Sequence, residues 1–299
     1  MSVQLIVDNV VVPYKKVNFS DGGTNIKLEV PEQLIKYPPS AYYSIVVEAD
    51  TLVDSYLWEI LQAVDAIEQT FGKKFKRELL YLPYLPHARA DRVFEYGNGF
   101  PLQLFLEAVS WMFDTIFLTD PHSDFYKKYD GDLVEGKRAC FEVKSQHQCF
   151  IEVAGRDIKS GDVLLAPDNG SLKKIYKLQQ QLDMRLVSTF VVEAGKKRDI
   201  ETGRVIETTL PEGVDLKGKV VWITDDLSDG NGTFIPLALK LKQAGAKQVN
   251  MYVTHLIAAK GLNNIFGFVD KLYCYQVVGN YINMQNVVNF NVGIEPRKF

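Results

Sequence analysis

Residues 219–234 read Lys-Val-Val-Trp-Ile-Thr-Asp-Asp-Leu-Ser-Asp-Gly-Asn-Gly-Thr-Phe. Residues 220–224 form an apolar, β-branched run of the kind that makes a buried parallel strand. Two carboxylates, Asp225 and Asp226, follow at once. Then come Asp229, Gly230, Asn231, Gly232 and Thr233, and a helical stretch over 234–244. Strand, acidic pair, glycine-rich turn and helix, in that order, belong to an open α/β sheet. The N–H groups of the turn and of the helix N-terminus offer a nest for a phosphate. The acidic pair stands at the carboxyl end of its strand, where such sheets bind ligands. There it can accept hydrogen bonds from two vicinal sugar hydroxyls. A sugar with hydroxyls at one end and a phosphate at the other fits the pattern; an Asp/Gly-rich turn without a ligand is the alternative.

Working outward, residues 162–166 read as a strand ending in Pro167-Asp168-Asn169-Gly170 and residues 171–182 as a helix. Residues 186–192 read as a strand that leads into Ala194-Gly195-Lys196-Lys197-Arg198, with a hairpin over 193–208. Beyond the opening stretch, 248–254 and 271–277 are strands. The first half has the same style. Residues 3–12 are strand-like with a turn at Asp8-Asn9, Phe19–Gly23 is a turn, and 26–30 and 42–48 are strands. A helix over 52–71, a strand over 78–84, an apolar helix over 102–113 and a strand over 115–119 follow, the last delivering Asp120-Pro121-His122. Alternating strands and helices predict parallel sheets. The pattern restarts within 137–149, which divides the chain into 1–138 and 139–299, two copies of one α/β style. Tyr42, Tyr43, Trp111 and Trp222 read as core.

A length of 299 residues suits two domains. Hydrophobic residues at 46% and charged residues at 24% allow each half a core. A net charge of −3 offers no basic excess for nucleic acid or an acidic membrane. Cys140, Cys149 and Cys274 are odd in number and lack metal-type spacing, which suggests a reducing compartment without disulfides. There is no apolar run of membrane-spanning length and no signal-peptide pattern in Met-Ser-Val-Gln. The expectation is a cytoplasmic protein with small-molecule substrates.

The acidic pair and loop resemble the phosphoribosyl-pyrophosphate loop of type I phosphoribosyltransferases and ribose-phosphate pyrophosphokinases. The family form is an acidic pair, two residues, then Asp-Thr-Gly-Gly-Thr. Four further stretches resemble the pyrophosphokinases, in matching order and across most of the chain. Phe19-Ser20-Asp21-Gly22 resembles the Phe-Ser-Asp-Gly-Glu turn that holds the adenine of ATP. Residues 83–92, with Arg89 in their Ala-Arg-x-Asp-Arg portion, resemble another ATP-site element. Thr119-Asp120-Pro121-His122 resembles Met-Asp-Leu-His, whose His binds Mg²⁺. Ala166-Pro167-Asp168-Asn169-Gly170 resembles Ser-Pro-Asp-x-Gly-Gly. Lys196-Lys197-Arg198 resembles the Lys-x-Arg of a mobile catalytic loop, although alone it reads as a solvated charge run.

The resemblance implies two tandem type I phosphoribosyltransferase-like domains, each a mostly parallel sheet flanked by helices. It implies transfer of the pyrophosphoryl group of ATP to the 1-hydroxyl of ribose 5-phosphate, with Mg²⁺. By that match Phe19, Asp21 and Arg89 hold ATP, and Asp120, His122 and Asp168 organise the metal. Lys196 and Arg198 stabilise the transferring group. Asp225 and Asp226 hold the ribose hydroxyls, and Asp229, Gly230, Asn231, Gly232 and Thr233 hold the 5-phosphate. A homo-oligomer is also implied. From spacing alone, Asp120 and His122 share one side of their strand end, and a structural histidine is the other reading of His122. His87 stands where the family has Tyr, and His255 reads as structural. Gly23 and Ala90 replace a Glu and a Gln, so two family contacts to ATP are absent. Gly230 replaces a hydroxyl residue in the phosphate loop, which leaves room for a 5-phosphate that is esterified further, as in ADP-ribose. A plain phosphoribosyltransferase would use the same loop but not the ATP motifs. A non-catalytic regulatory subunit would fit the lost ATP contacts but not the retained Lys196 and Arg198.

Overall fold

The computed structural model describes residues 3–37, 39, 41–47, 56–72, 75–131, 139–198, 205–258, 262, 265–278 and 287–289. The chain divides into two compact units, one reaching Lys144 and the other starting at Ser145.

The first unit opens with β1 (Val3–Val7) and β2 (Val10–Val11), an antiparallel hairpin. Its turn residues, Asp8 and Asn9, both have positive φ, 44° and 66°. That is the backbone of a two-residue turn matched to strand twist, and Asp and Asn tolerate it best among residues with a Cβ. The Asp8 carboxylate then accepts from Tyr42 N–H at 2.9 Å, and Tyr42 Oη donates to Asn9 Oδ1 at 2.6 Å. The turn is thus anchored to the next strand of the sheet. A second hairpin, β3 (Tyr14–Asn18) and β4 (Thr24–Leu28), stands apart as a two-stranded sheet, and α1 (Glu32–Lys36) follows.

The main sheet continues through β5 (Tyr42–Val47), β6 (Arg77–Leu82), β7 (Thr115–Thr119) and β8 (Cys140–Lys144), in the order β2-β1-β5-β6-β7-β8. The last four are parallel and β1 is antiparallel to β5. The crossovers are α2 (Tyr56–Phe71) and α3 (Pro101–Met112). Both run between strands placed one step further along the same direction, so right-handedness puts both on one face. Accordingly Ile60, Ala63 and Ile67 of α2 join Leu102, Phe105 and Val109 of α3 in one core, against Tyr43, Ile45, Leu80, Leu82, Ile116 and Leu118. The alternate strand residues Ile6, Tyr42, Val46, Leu79 and Tyr81 form a separate buried cluster on the opposite face.

Three expectations for this half change. Residues 140–144 pair with β7, so the units divide at Lys144/Ser145 rather than at 138/139. Trp111 is 47% exposed, not core. It follows Val109 by two residues, about 200° round the helix, on the outward side. The helix expected from residue 52 is seen from Tyr56, and residues 51–55 lie outside the described residues.

The second unit begins with α4 (Gln146–Ala154), which has a capping box: Ser145 serves the first turn and the Gln148 side chain accepts from Ser145 N–H at 2.8 Å. Its sheet comprises β9 (Val163–Ala166), β10 (Phe190–Glu193), β13 (Val220–Ser228), β14 (Gln248–Leu256), β15 (Lys271–Val277) and β16 (Val287–Asn289). The order is β10-β9-β13-β14-β15-β16, and every pairing is parallel. Helix α5 (Asn169–Asp183) links β9 to β10, and α6 (Phe234–Gln243) links β13 to β14. Between β10 and β13 lies an antiparallel hairpin, β11 (Gly195–Arg198) with β12 (Val205–Thr209). The strand expected over 186–192 starts only at Phe190, because Leu186 takes a left-handed turn (φ 63°) after α5.

The crossovers in this sheet run in opposite directions. Right-handed connections therefore send α5 and α6 to opposite faces. The core shows it. Ile175, Leu178 and Leu182 of α5 pack with Leu164, Trp222, Tyr252 and Tyr273. Leu237, Ala238 and Leu241 of α6 pack with Leu165, Val221, Ile223, Val249 and Met251. The point where the winding reverses falls between β9 and β13. Among the described residues no helix is long and apolar enough to cross a membrane.

Candidate active site

The reversal between β9 and β13 opens a crevice at the carboxyl edge of the sheet, the usual ligand position in this architecture. The acidic pair sits there. The strand does not stop at Thr224 as the hydropathy suggests; it continues to Ser228, with Asp225 and Asp226 inside it. Side chains alternate along a strand. Trp222 points to the α5 face and Ile223 to the α6 face, so Asp226 has the parity of the α5 face and Asp225 that of the α6 face. Asp226 is buried and Asp225 half-buried. The Asp226 N–H donates to Asp225 Oδ1 at 2.9 Å. Even so, burial, the Asp226 carboxylate and then Asp168 push the Asp225 carboxyl well above the ordinary carboxylate range.

Asp168 arrives from the neighbouring strand. It caps α5, accepting from Ser171 N–H at 3.3 Å, while Ser171 Oγ donates to the Asp168 carbonyl at 2.9 Å. The cap fixes a half-buried carboxylate at the end of β9. Because β9 pairs in parallel with β13, the two strand ends lie on the same edge, and Asp168 adds to the upward push on Asp225.

The loop 229–233 closes the site. Asn231 has φ 58°, is buried, and accepts from Ser228 Oγ at 2.7 Å. Asn is among the residues that bear a left-handed backbone at least cost, and the Ser228 bond holds it there. Its carbonyl accepts from Phe234 and Ile235 N–H, both at 3.1 Å, which starts α6. Among the described residues no hydrogen bond uses the N–H of Gly230, Gly232 or Thr233. These donors surround a helix N-terminus, the arrangement that receives an anion.

Lys196 and Arg198 lie on β11, which leaves the sheet just after β10 and so starts at the same edge. Their side chains lie outside the described residues. The hairpin's root is tight: a Cβ on Gly195 would stand 2.4 Å from Thr209 Oγ1.

In the first unit, Asp120 and His122 follow β7. Asp120 is buried, at φ 36°, and its N–H donates to the Lys144 carbonyl at 2.8 Å, which aligns the end of β7 with β8. His122 is exposed. Arg89 is exposed in the turn after β6, the strand beside β7, so these three share one sheet edge. Phe19 and Asp21 lie on the separate β3–β4 hairpin. Phe19 is 53% exposed. Asp21 Oδ1 accepts from Gly23 N–H at 2.9 Å, and a Cβ at Gly23 would come within 3.1 Å of that oxygen. The glycine at 23 thus accompanies a turn braced by Asp21. Among the described residues no three carboxylate, histidine or cysteine side chains converge as a metal cage.

Two residues of the site escape a sequence reading. Lys174 of α5 stands with its Nζ 3.8 Å from Asp226 Oδ2, and Ser228 locks Asn231. Lys174 is one of three lysines in 173–177 that look alike. The only signal for Ser228 is its place between the acidic pair and the loop.

Two open sheets in tandem, the second with an acidic pair and a donor-rich loop at its reversal point, define an α/β protein of the tandem phosphoribosyltransferase-like kind. No family model matches the chain. It is 26% identical over 236 residues to the ribose-phosphate pyrophosphokinase of Pyrococcus furiosus, covering 79% of this chain and 78% of that one. It is 27% identical over 238 residues to the enzyme of that name from Thermococcus kodakarensis, covering 79% and 78%. A crystal structure of phosphoribosylpyrophosphate synthetase from Mycobacterium smegmatis superposes with a TM-score of 0.73 at 18% identity, covering 95% of this chain and 87% of that one. Over about four fifths of its length the chain is thus similar to ribose-phosphate pyrophosphokinases.

Proposed function

We propose that the protein transfers the pyrophosphoryl group of ATP to the 1-hydroxyl of ribose 5-phosphate, releasing AMP and forming phosphoribosyl pyrophosphate. The hydroxyl oxygen bonds to the β-phosphorus, the bond from that phosphorus to the α–β bridging oxygen breaks, and the hydroxyl proton is lost to solvent. The observation that carries the reading is the pairing, at one reversal point, of Asp225 and Asp226 with the open N–H groups of Gly230, Gly232 and Thr233. The carboxylates accept from the ribose 2- and 3-hydroxyls, and the loop donates to the 5-phosphate.

On this reading the second unit binds the acceptor and the first contributes the ATP elements. Phe19, exposed at a hairpin tip, offers a ring face to the adenine, and Arg89 offers a planar cation to the phosphates. Asp120 and His122 within the first unit, and Asp168 within the second, each offer contacts for Mg²⁺. Mg²⁺ keeps several waters and binds through one or two carboxylates plus substrate phosphates, so the lack of a three-residue cage among the described residues is compatible with it. When bound, the metal neutralises charge on the phosphate oxygens. Lys196 and Arg198 stabilise the charge that builds on the transferred group.

A second reading changes only the acceptor. Nothing lies within 4 Å of where a Cβ on Gly232 would point, and Gly230 has no side chain to close over the phosphate. A 5-phosphate carrying a further ester, as in ADP-ribose, therefore has an exit from the loop. Its product would be ADP-ribose 1-pyrophosphate. The test is AMP release from ATP and Mg²⁺ with each acceptor in parallel. AMP with only one acceptor assigns the substrate. AMP with neither removes both readings and favours a regulatory subunit.

A further inference from the structure

The acidic pair carries a built-in cation. In α5 the inward stripe is Ser171, Ile175, Leu178 and Leu182. Lys174 lies on the margin of that stripe, with its side chain 30% exposed. Its ammonium stands 3.8 Å from Asp226 Oδ2, whose side chain is 10% exposed. At that separation the two opposite charges attract each other. The same helix begins with the Asp168 cap, so one rigid element sets both the carboxylate at β9 and the cation at β13.

We propose that Lys174 is a positioning residue for the acceptor sugar, holding the Asp226 carboxylate aimed at the ribose hydroxyls. This rests on the acceptor reading above. Asp225 lies beside Asp226 in β13 and feels Asp168 from the end of β9, and like charges nearby disfavour its ionised form. Lys174 is on the Asp226 side, and Asp225 is the member whose carboxyl is pushed upward by burial and by Asp226 and Asp168.

The experiment compares wild type with Lys174→Met and Lys174→Arg, varying ribose 5-phosphate and ADP-ribose in the AMP-release assay and titrating both by calorimetry. Thermal melts of all three proteins run alongside. Lys174→Met is expected to raise the KM for the acceptor used, and weaken its binding, by about tenfold, the lower end for a hydrogen bond to a charged group. The KM for ATP should stay put, and Lys174→Arg should restore most of the loss. An unchanged acceptor KM, an equal rise in the KM for ATP, or a loss that Arg does not restore would overturn the assignment. If wild type binds an acceptor without releasing AMP, the calorimetric ratio still decides the role of Lys174 while the catalytic reading fails. If wild type binds neither acceptor, both fall.

Discussion

Replacing Asp225 by Asn probes the charge arrangement of the second unit while keeping its shape. Asp225 is half-buried, and burial together with the carboxylates of Asp226 and Asp168 raises its carboxyl well above the usual range. Between the unfolded value near 3.9 and the raised native value, the native state binds more protons than the unfolded state. Stability then falls as pH climbs from about 4 through the native pKa and stays lower above it. Each unit of upward shift costs about 1.4 kcal/mol, reduced by the solvent that reaches a half-buried group. An Asn retains an acceptor for the Asp226 N–H, a 2.9 Å bond in the native protein, and carries no charge. The expected outcome, with chelator and without substrate, is a variant more stable than wild type at pH 8 by about 1 kcal/mol or more. For a unit of this size that corresponds to about 2–4 °C in Tm. The gain should shrink toward pH 4.5. Trp222, the one fully buried tryptophan, reports this unit by its emission, so fluorescence-detected unfolding across pH 4.5–8 is the assay. The same variant should lose acceptor binding, because the amide presents a donor where the sugar needs an acceptor. Equal stability at pH 8, or a gain that widens toward acid, would refute the reasoning.

Asn231→Gly should lie within about 1 kcal/mol of wild type, since Gly relieves the left-handed backbone but loses the Ser228 bond. Asn231→Val should cost at least about 2 kcal/mol more in denaturant unfolding, because a β-branched residue resists that backbone. Gly195→Ala should displace the hairpin root from Thr209 Oγ1 and lower AMP release without moving the main unfolding transition. Adding Thr209→Ala should recover turnover, and failure to do so would remove the hairpin root from the account. Trp222→Phe should destabilise the second unit by about 1–3 kcal/mol in circular-dichroism melts, because the indole N–H donates to buried Asp162 at 2.9 Å.

The alternation of strands and helices was legible because each element carries its own period. Residues 220–224, 248–254 and 271–277 read as strands, and they form the middle of the second sheet. Where local signals are weak the reading fails for physical reasons. Cys140–Lys144 alternates, but over only five residues, and its place in the first sheet is set by pairing with β7. The helix after it was marked by Ser145-Gln146-His147-Gln148, a capping-box pattern that is short and easily passed over. Acidic residues are poor strand formers, so Asp225 and Asp226 read as the end of β13, whereas register with Val253 and His255 of β14 carries the strand past them.

The site divides along the same line. Asp225, Asp226 and the loop 229–233 are contiguous, so their order alone shows a sugar-phosphate pattern. Their joining to Asp168 depends on strand order, because β9 neighbours β13 in space while β10 and a hairpin intervene in sequence. No periodicity encodes which strand lies beside which; opposite crossover directions do, and these appear only once the sheet is assembled. Lys174 is the sharpest instance. Lys173, Lys174 and Lys177 are equivalent as letters, and α5 would be amphipathic with any of them at its margin. Only the rotation of α5 over β13, set by Ile175 and Leu178 packing with Trp222, brings Lys174 against Asp226. A core contact thereby selects which lysine serves the acidic pair, and a change at Ile175 or Leu178 that rotates the helix should weaken acceptor binding without touching any residue that meets the sugar.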